Sequence, residues 1–153
     1  MPASRAARLE PIQQLADMRE EEAMQALAES QRALAEQEAR LAELQRYAAE
    51  YADASMTVGS PSMIVNRCAF LAKLQDAARF QQKTVEQARL RCEAERARWL
   101  LRRRDAGVLD QLAASYNLQA RRHDERRLQK EMDEHAAQCA SRKQSSGQTS
   151  LSR

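Results

Sequence analysis

The sequence predicts an all-α protein: a two-helix antiparallel coiled coil, or long α-hairpin, whose second helix is longer than its first. Three observations carry this. The chain has 31% charged and 43% hydrophobic residues but only 4% aromatic ones, with 3 Gly and 3 Pro in 153 residues. That is the composition of long helices, because a compact core of this size uses more rings, more β-branched residues and more turn punctuation. Apolar residues recur at heptad spacing on both sides of one short break, and the break joins Gly59 to Ser60 and Pro61.

The first eight residues precede the pattern and are read as a flexible N-terminus. From Leu9 to about residue 54 no Gly occurs and Pro11 is the only proline, a residue tolerated in a first helical turn. Leu27, Leu34 and Leu41 repeat every seven residues. Leu9, Ala16, Ala23, Ser30, Gln37, Leu44 and Tyr51 fill the second heptad position. Residues 55–61 form the turn, where Gly59 can end a helix and Ser60 or Ser62 can cap the next.

The second helix is expected over 62–143. Its seam reads Leu71, Leu74, Ala78, Gln81, Val85, Ala88, Cys92, Glu95, Trp99, Arg102, Ala106 and Leu109, alternating steps of three and four without a slip. Gly107 marks a candidate kink. Residues 144–153, "QSSGQTSLSR", are too polar to pack and are read as a disordered tail.

A short connection between two heptad helices forces them antiparallel. With the turn centred at Thr57 or Val58, Leu44 faces Leu71, Leu41 faces Leu74, Leu27 faces Ala88, Ala23 faces Cys92 and Ala16 faces Trp99. A register one heptad step away uses the same seam. Charge favours the pairing, since residues 1–60 carry 6 basic and 11 acidic side chains and residues 61–153 carry 19 and 11. Each flanking ion pair contributes only about a few tenths of a kcal/mol, but an acidic helix along a basic one can form many of them.

Two properties point to assembly. Glu20, Ser30, Gln37, Gln81, Glu95 and Arg102 all fall at seam positions, which makes the hairpin marginal by itself. The second helix also outlasts the first by roughly 30 to 35 residues, about 50 Å of helix beyond about Gly107 that needs outside support.

Other function classes fit less well. No Gly-rich phosphate loop, nucleophile elbow or paired catalytic carboxylate is legible, so no enzyme and no cofactor is expected. His135 and Cys139 lie one helical turn apart, but a zinc site needs two further ligands and no other His or Cys is close in sequence, so no metal is expected. "RWLLRRRD" and "ARRHDERRLQK" are basic runs, yet only Trp99 could interleave with them and it belongs to the seam; they read as solvated or partner-facing rather than as a nucleic-acid surface. No apolar run is long enough to span a bilayer and "MPASRAARLEP" lacks a signal core, so a cytosolic protein is expected, with no membrane insertion. The odd number of cysteines, with Cys68 and Cys92 about 36 Å apart on one helix, fits reduced thiols.

"YAAEY" before the turn, "NRCAFLAKLQDAARFQQ" after it, the central Trp99 and the terminal "RRLQKEMDEHAAQCASRK" resemble, in order and spacing, the FliJ family of flagellar type III export proteins. The likeness covers about Leu9 to Lys143. It implies a coiled-coil hairpin, similar to the central stalk of rotary ATP synthases, that inserts into the hexameric flagellar export ATPase. It also implies contact with the inner-membrane export gate protein, escort of export chaperones, and a cytoplasmic protein associated peripherally with the membrane apparatus. The family's gate-contacting patch corresponds to Leu44, Tyr47, Tyr51, Phe70, Leu74 and Ala77; Arg40 and Gln81 border it and are left out. A generic coiled-coil scaffold or secretion chaperone is the alternative, and a basic helical nucleic-acid binder a further one.

Overall fold

The computed structural model describes residues 3–55 and 59–147. Two helices, α1 (Ala3–Ser55, 53 residues) and α2 (Pro61–Gly147, 87 residues), pack antiparallel as a coiled coil. Both extend past the limits set by the heptad pattern. Residues 3–8 are helical, so Pro11 lies in the third turn of α1 rather than the first. Its ring removes the hydrogen bond to the Ala7 carbonyl, a cost of about 3 kcal/mol in a helix interior. Pro11 and Ala7 are both exposed, which leaves that carbonyl to water. Residues 144–147 continue α2, and Gly107 sits inside it. Met56, Thr57 and Val58 of the expected turn, and residues 148–153 of the expected tail, lie outside the described residues.

The seam is the one the heptads predict. Every position from Leu71 to Leu109 in that series is buried or half-buried, as is every α1 position from Leu9 to Tyr51. Burial is nevertheless shallow. Only Ala23, Leu27, Val85 and Ala106 form a buried apolar core among the described residues, and none of the large side chains is fully enclosed.

The register differs from the expected one by a heptad. In residues 16–105, one compact unit, the Tyr51 and Phe70 rings meet edge to face at 4.9 Å, and Arg89 Nη2 donates to Glu38 Oε1 at 3.1 Å. This pairing places Leu44 opposite Ala78 rather than Leu71, Leu27 opposite Glu95, and Trp99 opposite Ala23 rather than Ala16. Large still meets small, because Ala23 leaves room for the indole. The physical reason is an asymmetric connection. Residues 59–66 are exposed throughout and α2 first joins the seam at about Arg67 and Leu71, so its first turns precede any pairing instead of pairing outward from a tight bend.

Polar seam residues are satisfied in different ways. Gln81 Nε2 donates to the Gln37 backbone oxygen at 3.1 Å and to its Oε1 at 2.7 Å, a cross-helix clamp. Ser30 Oγ donates to the Leu27 carbonyl at 2.8 Å. Glu95 Oε2 is buried without a hydrogen bond, though Arg98 Nη1 approaches it to 3.6 Å. The Trp99 indole N–H is buried and unpaired, and its ring carries the Arg103 guanidinium 5.3 Å from its centroid. Since an amide pair in a coiled-coil seam specifies register at a cost in stability, the double variant Gln37→Leu, Gln81→Leu should raise the melting temperature, by about 1 kcal/mol of stability or more. A lower melting temperature by circular dichroism would show instead that the clamp is a net stabiliser.

The second unit comprises residues 1–15 and 106–153. Here Gln13 Nε2 donates to Asp110 Oδ1 at 3.0 Å, and Ala106, Leu109, Ala113, Tyr116 and Ala120 continue the seam of α2. From Arg121 to Gly147 every residue is exposed. The wholly exposed part of α2 therefore begins at Arg121, not near Gly107. The one-heptad register shift and the earlier start of α1 together account for the difference.

Candidate docking surface

In an antiparallel coiled coil the residues just outside the seam fall on two edges. On one edge stand the residues that immediately precede Leu27, Leu34, Leu41 and Ala48 on α1, and Leu71, Ala78, Val85, Cys92 and Trp99 on α2. Tyr47, Phe70 and Ala77 belong to it. With Tyr51 against Phe70, the same register sets Tyr47 level with Leu74 and Leu44 level with Ala77. The six patch residues thus form three consecutive rungs. Each rung sets a half-buried seam residue (Tyr51, Leu74 or Leu44) level with an exposed edge residue, and in the first of them the two rings touch.

The division decides what each side chain can do. Tyr47 is 50% exposed and Phe70 41%, so both present ring surface to solvent beside an apolar seam. Tyr51 is half-buried and holds Phe70 by its edge contact; aromatic pairs of this geometry contribute roughly 0.5 to 1.5 kcal/mol beyond burial. Charges nearby are weak competitors, since the Arg46–Glu50 pair is long (4.0 Å) and its side chains are 71% and 67% exposed. Contiguous rings of this kind, left uncovered, are recognition anchors.

Heptad reasoning missed the adjoining residues Met63, Ile64 and Val65, which are 51%, 47% and 67% exposed. The signal was present, as three apolar residues directly after a helix-starting Ser-Pro with no seam partner of their own. Of the three, Met63 stands seven residues before Phe70 and shares its face of α2, whereas Ile64 and Val65 lie about 120–140° round the helix from it.

Elsewhere the arrangement offers little chemistry. His135 and Cys139 are exposed on α2, and no group of three or more His, Cys, Asp or Glu among the described residues is placed to hold a metal ion. No described helix is long and apolar enough to cross a membrane. The basic run 120–130 lies almost wholly on the exposed part of α2, with Arg127 paired to Glu131 at 3.5 Å.

Comparison with curated proteins and with solved structures finds no match. A family model described as "Flagellar FliJ protein" matches residues 5–145, which spans both helices and all six patch residues. On that match the chain belongs to the flagellar FliJ family.

Proposed function

We propose that this protein is a non-enzymatic coupling component of flagellar type III export: it joins the hexameric export ATPase to the inner-membrane export gate and helps export chaperones deliver their cargo. Membership of the family carries the flagellar export role. The finer reading is supported chiefly by the three rungs at Leu44–Ala77, Tyr47–Leu74 and Tyr51–Phe70, which leave the Tyr47 ring and the outer face of Phe70 uncovered.

In this reading the exposed residues 121–147 of α2 engage the ATPase ring while the aromatic rungs take the gate. Association with the membrane is then peripheral, through the gate protein. A generic scaffold or secretion chaperone would share the hairpin but would need neither contact.

The test uses purified full-length protein with the export ATPase and, separately, the cytosolic part of the gate protein. Binding to both, with stimulated ATP hydrolysis, is the expected result. A protein that binds neither would be a scaffold for other partners, and steeply salt-dependent binding to DNA in place of both would favour the nucleic-acid reading.

A further inference from the structure

The register of residues 16–105 rests on a few particular contacts, because the two edges of the seam are unlike each other. On one edge the Arg89–Glu38 bond at 3.1 Å crosses between the helices. On the other, Ala26, Ala33 and Thr84 stand where long side chains would normally cross, and a groove opens instead. The Gln81–Gln37 clamp at 2.7 Å and the Tyr51–Phe70 rings at 4.9 Å add to the hold.

This register also carries costs. Leu27 faces Glu95, whose Oε2 is buried without a hydrogen bond, and Ile64, seven residues before Leu71 and so in phase with the seam, is 47% exposed. Sliding α2 by one heptad exchanges these partners. Leu27 then meets Ala88, Leu41 meets Leu74, Leu44 meets Leu71 and Ile64 meets Tyr51, while Gln81 loses Gln37 and Glu20 faces Glu95 in place of Arg102. Each alignment leaves some polar seam residues poorly matched, so neither excludes the other.

We propose that the coiled coil is a two-register device: the observed alignment is the major state, and one with α2 slid by seven residues, about 10 Å, is a minor state at roughly 1 to 10%. The aromatic rungs exist only in the first. The slide parts Phe70 from Tyr51 and sets it level with Leu44, so a partner docked on the rungs holds the observed register, and its release frees α2 to move. Because α2 is one helix from Pro61 to Gly147, the slide is carried lengthwise to its exposed end. The identity of that partner as the gate protein rests on the proposed function; the pair of registers does not.

Cys92 lies half-buried in the seam and reports both registers. In a Cys68→Ser, Cys139→Ser background, the Ser30→Cys thiol is opposite Cys92 in the observed register, the Ala23→Cys thiol only after the slide, and the Ala16→Cys thiol in neither. The readout is the rate of intrachain disulfide formation in dilute full-length protein under a mild oxidant, with circular dichroism confirming that each reduced variant is folded. Ser30→Cys should close fastest, Ala23→Cys roughly ten- to a hundredfold more slowly, and Ala16→Cys slower again by about tenfold or more. Ile64→Glu, about 40 Å along α2 from Cys92, should slow Ala23→Cys closure roughly tenfold and leave Ser30→Cys closure unchanged, since only the slid register buries that side chain. Ala23→Cys closing no faster than Ala16→Cys, or at a rate that Ile64→Glu does not move, would reduce the effect to fraying and overturn the proposal. Saturating cytosolic gate domain should also slow Ala23→Cys closure. A gate domain that binds and leaves that rate unchanged would overturn the coupling, whereas one that does not bind counts against the docking reading alone.

Discussion

Replacing Tyr47 by Ala should leave the melting of the protein within about 0.5 kcal/mol of the parent while lowering its affinity for the gate protein by about 2 kcal/mol, some thirtyfold. The asymmetry follows from position. Tyr47 stands on the edge, half exposed, with its ring free to enter a partner's pocket. Tyr51, one turn on, sits in the seam and supports Phe70. Tyr51→Ala should therefore cost both stability, by about 2 kcal/mol, and gate affinity, because Phe70 loses its backing. Phe70→Ala falls between them. Thermal melts and binding isotherms on the three single variants separate docking from packing. Equal destabilisation by Tyr47→Ala and Tyr51→Ala would mean the rings close the end of the coiled coil, and full gate affinity in a folded Tyr47→Ala protein would end the docking reading.

The seam could be read from the sequence residue by residue, from Leu9 to Tyr51 and from Leu71 to Leu109, because heptad spacing reports directly which helical face is buried. Register could not be read in the same way. Sliding one helix by seven residues keeps the same positions facing the seam even where it trades partners, as when Leu27 meets Glu95 in place of Ala88, and the charges offer no correction: α1 is acidic and α2 basic over most of their length, so any heptad shift pairs opposite signs. What separates the registers is a few particular contacts, Tyr51 with Phe70 and Glu38 with Arg89, and these depend on where α2 leaves the turn. The patch was legible only through family resemblance. Spacing alone put the rings near the turn without saying that Tyr51 supports while Tyr47 and Phe70 stand open.

The difference between the two edges was also hidden in the composition. Ala26, Ala33 and Thr84 look like ordinary helix-forming residues in sequence, and they become a groove only when the antiparallel register brings them onto one side. The shallow burial of the seam has the same origin: two helices cannot enclose large side chains, so among the described residues the most deeply buried apolar positions are small, at Ala23, Val85 and Ala106, with Leu27 at the margin.

Removing residues 121–153 should leave the coiled coil as stable as before and abolish stimulation of the export ATPase. The first half rests on burial. From Arg121 to Gly147 every side chain is exposed, the seam positions that follow Ala120 are His123, Arg127 and Lys130 rather than apolar residues, and helical turns without tertiary support add almost nothing to folding. Deletion should therefore change stability by less than about 0.5 kcal/mol. For the same reason the amides of 121–147 should exchange rapidly in the free full-length protein and slow when the ATPase is added. The second half rests on the proposed division of labour, which gives the ring this segment and the gate the aromatic rungs; gate affinity in the truncated protein should equal that of the parent. Two results would count against it. A truncated protein that melts early would show that the segment packs against something within the chain, and one that still stimulates hydrolysis fully would show that the ring is engaged by the paired part of the coiled coil.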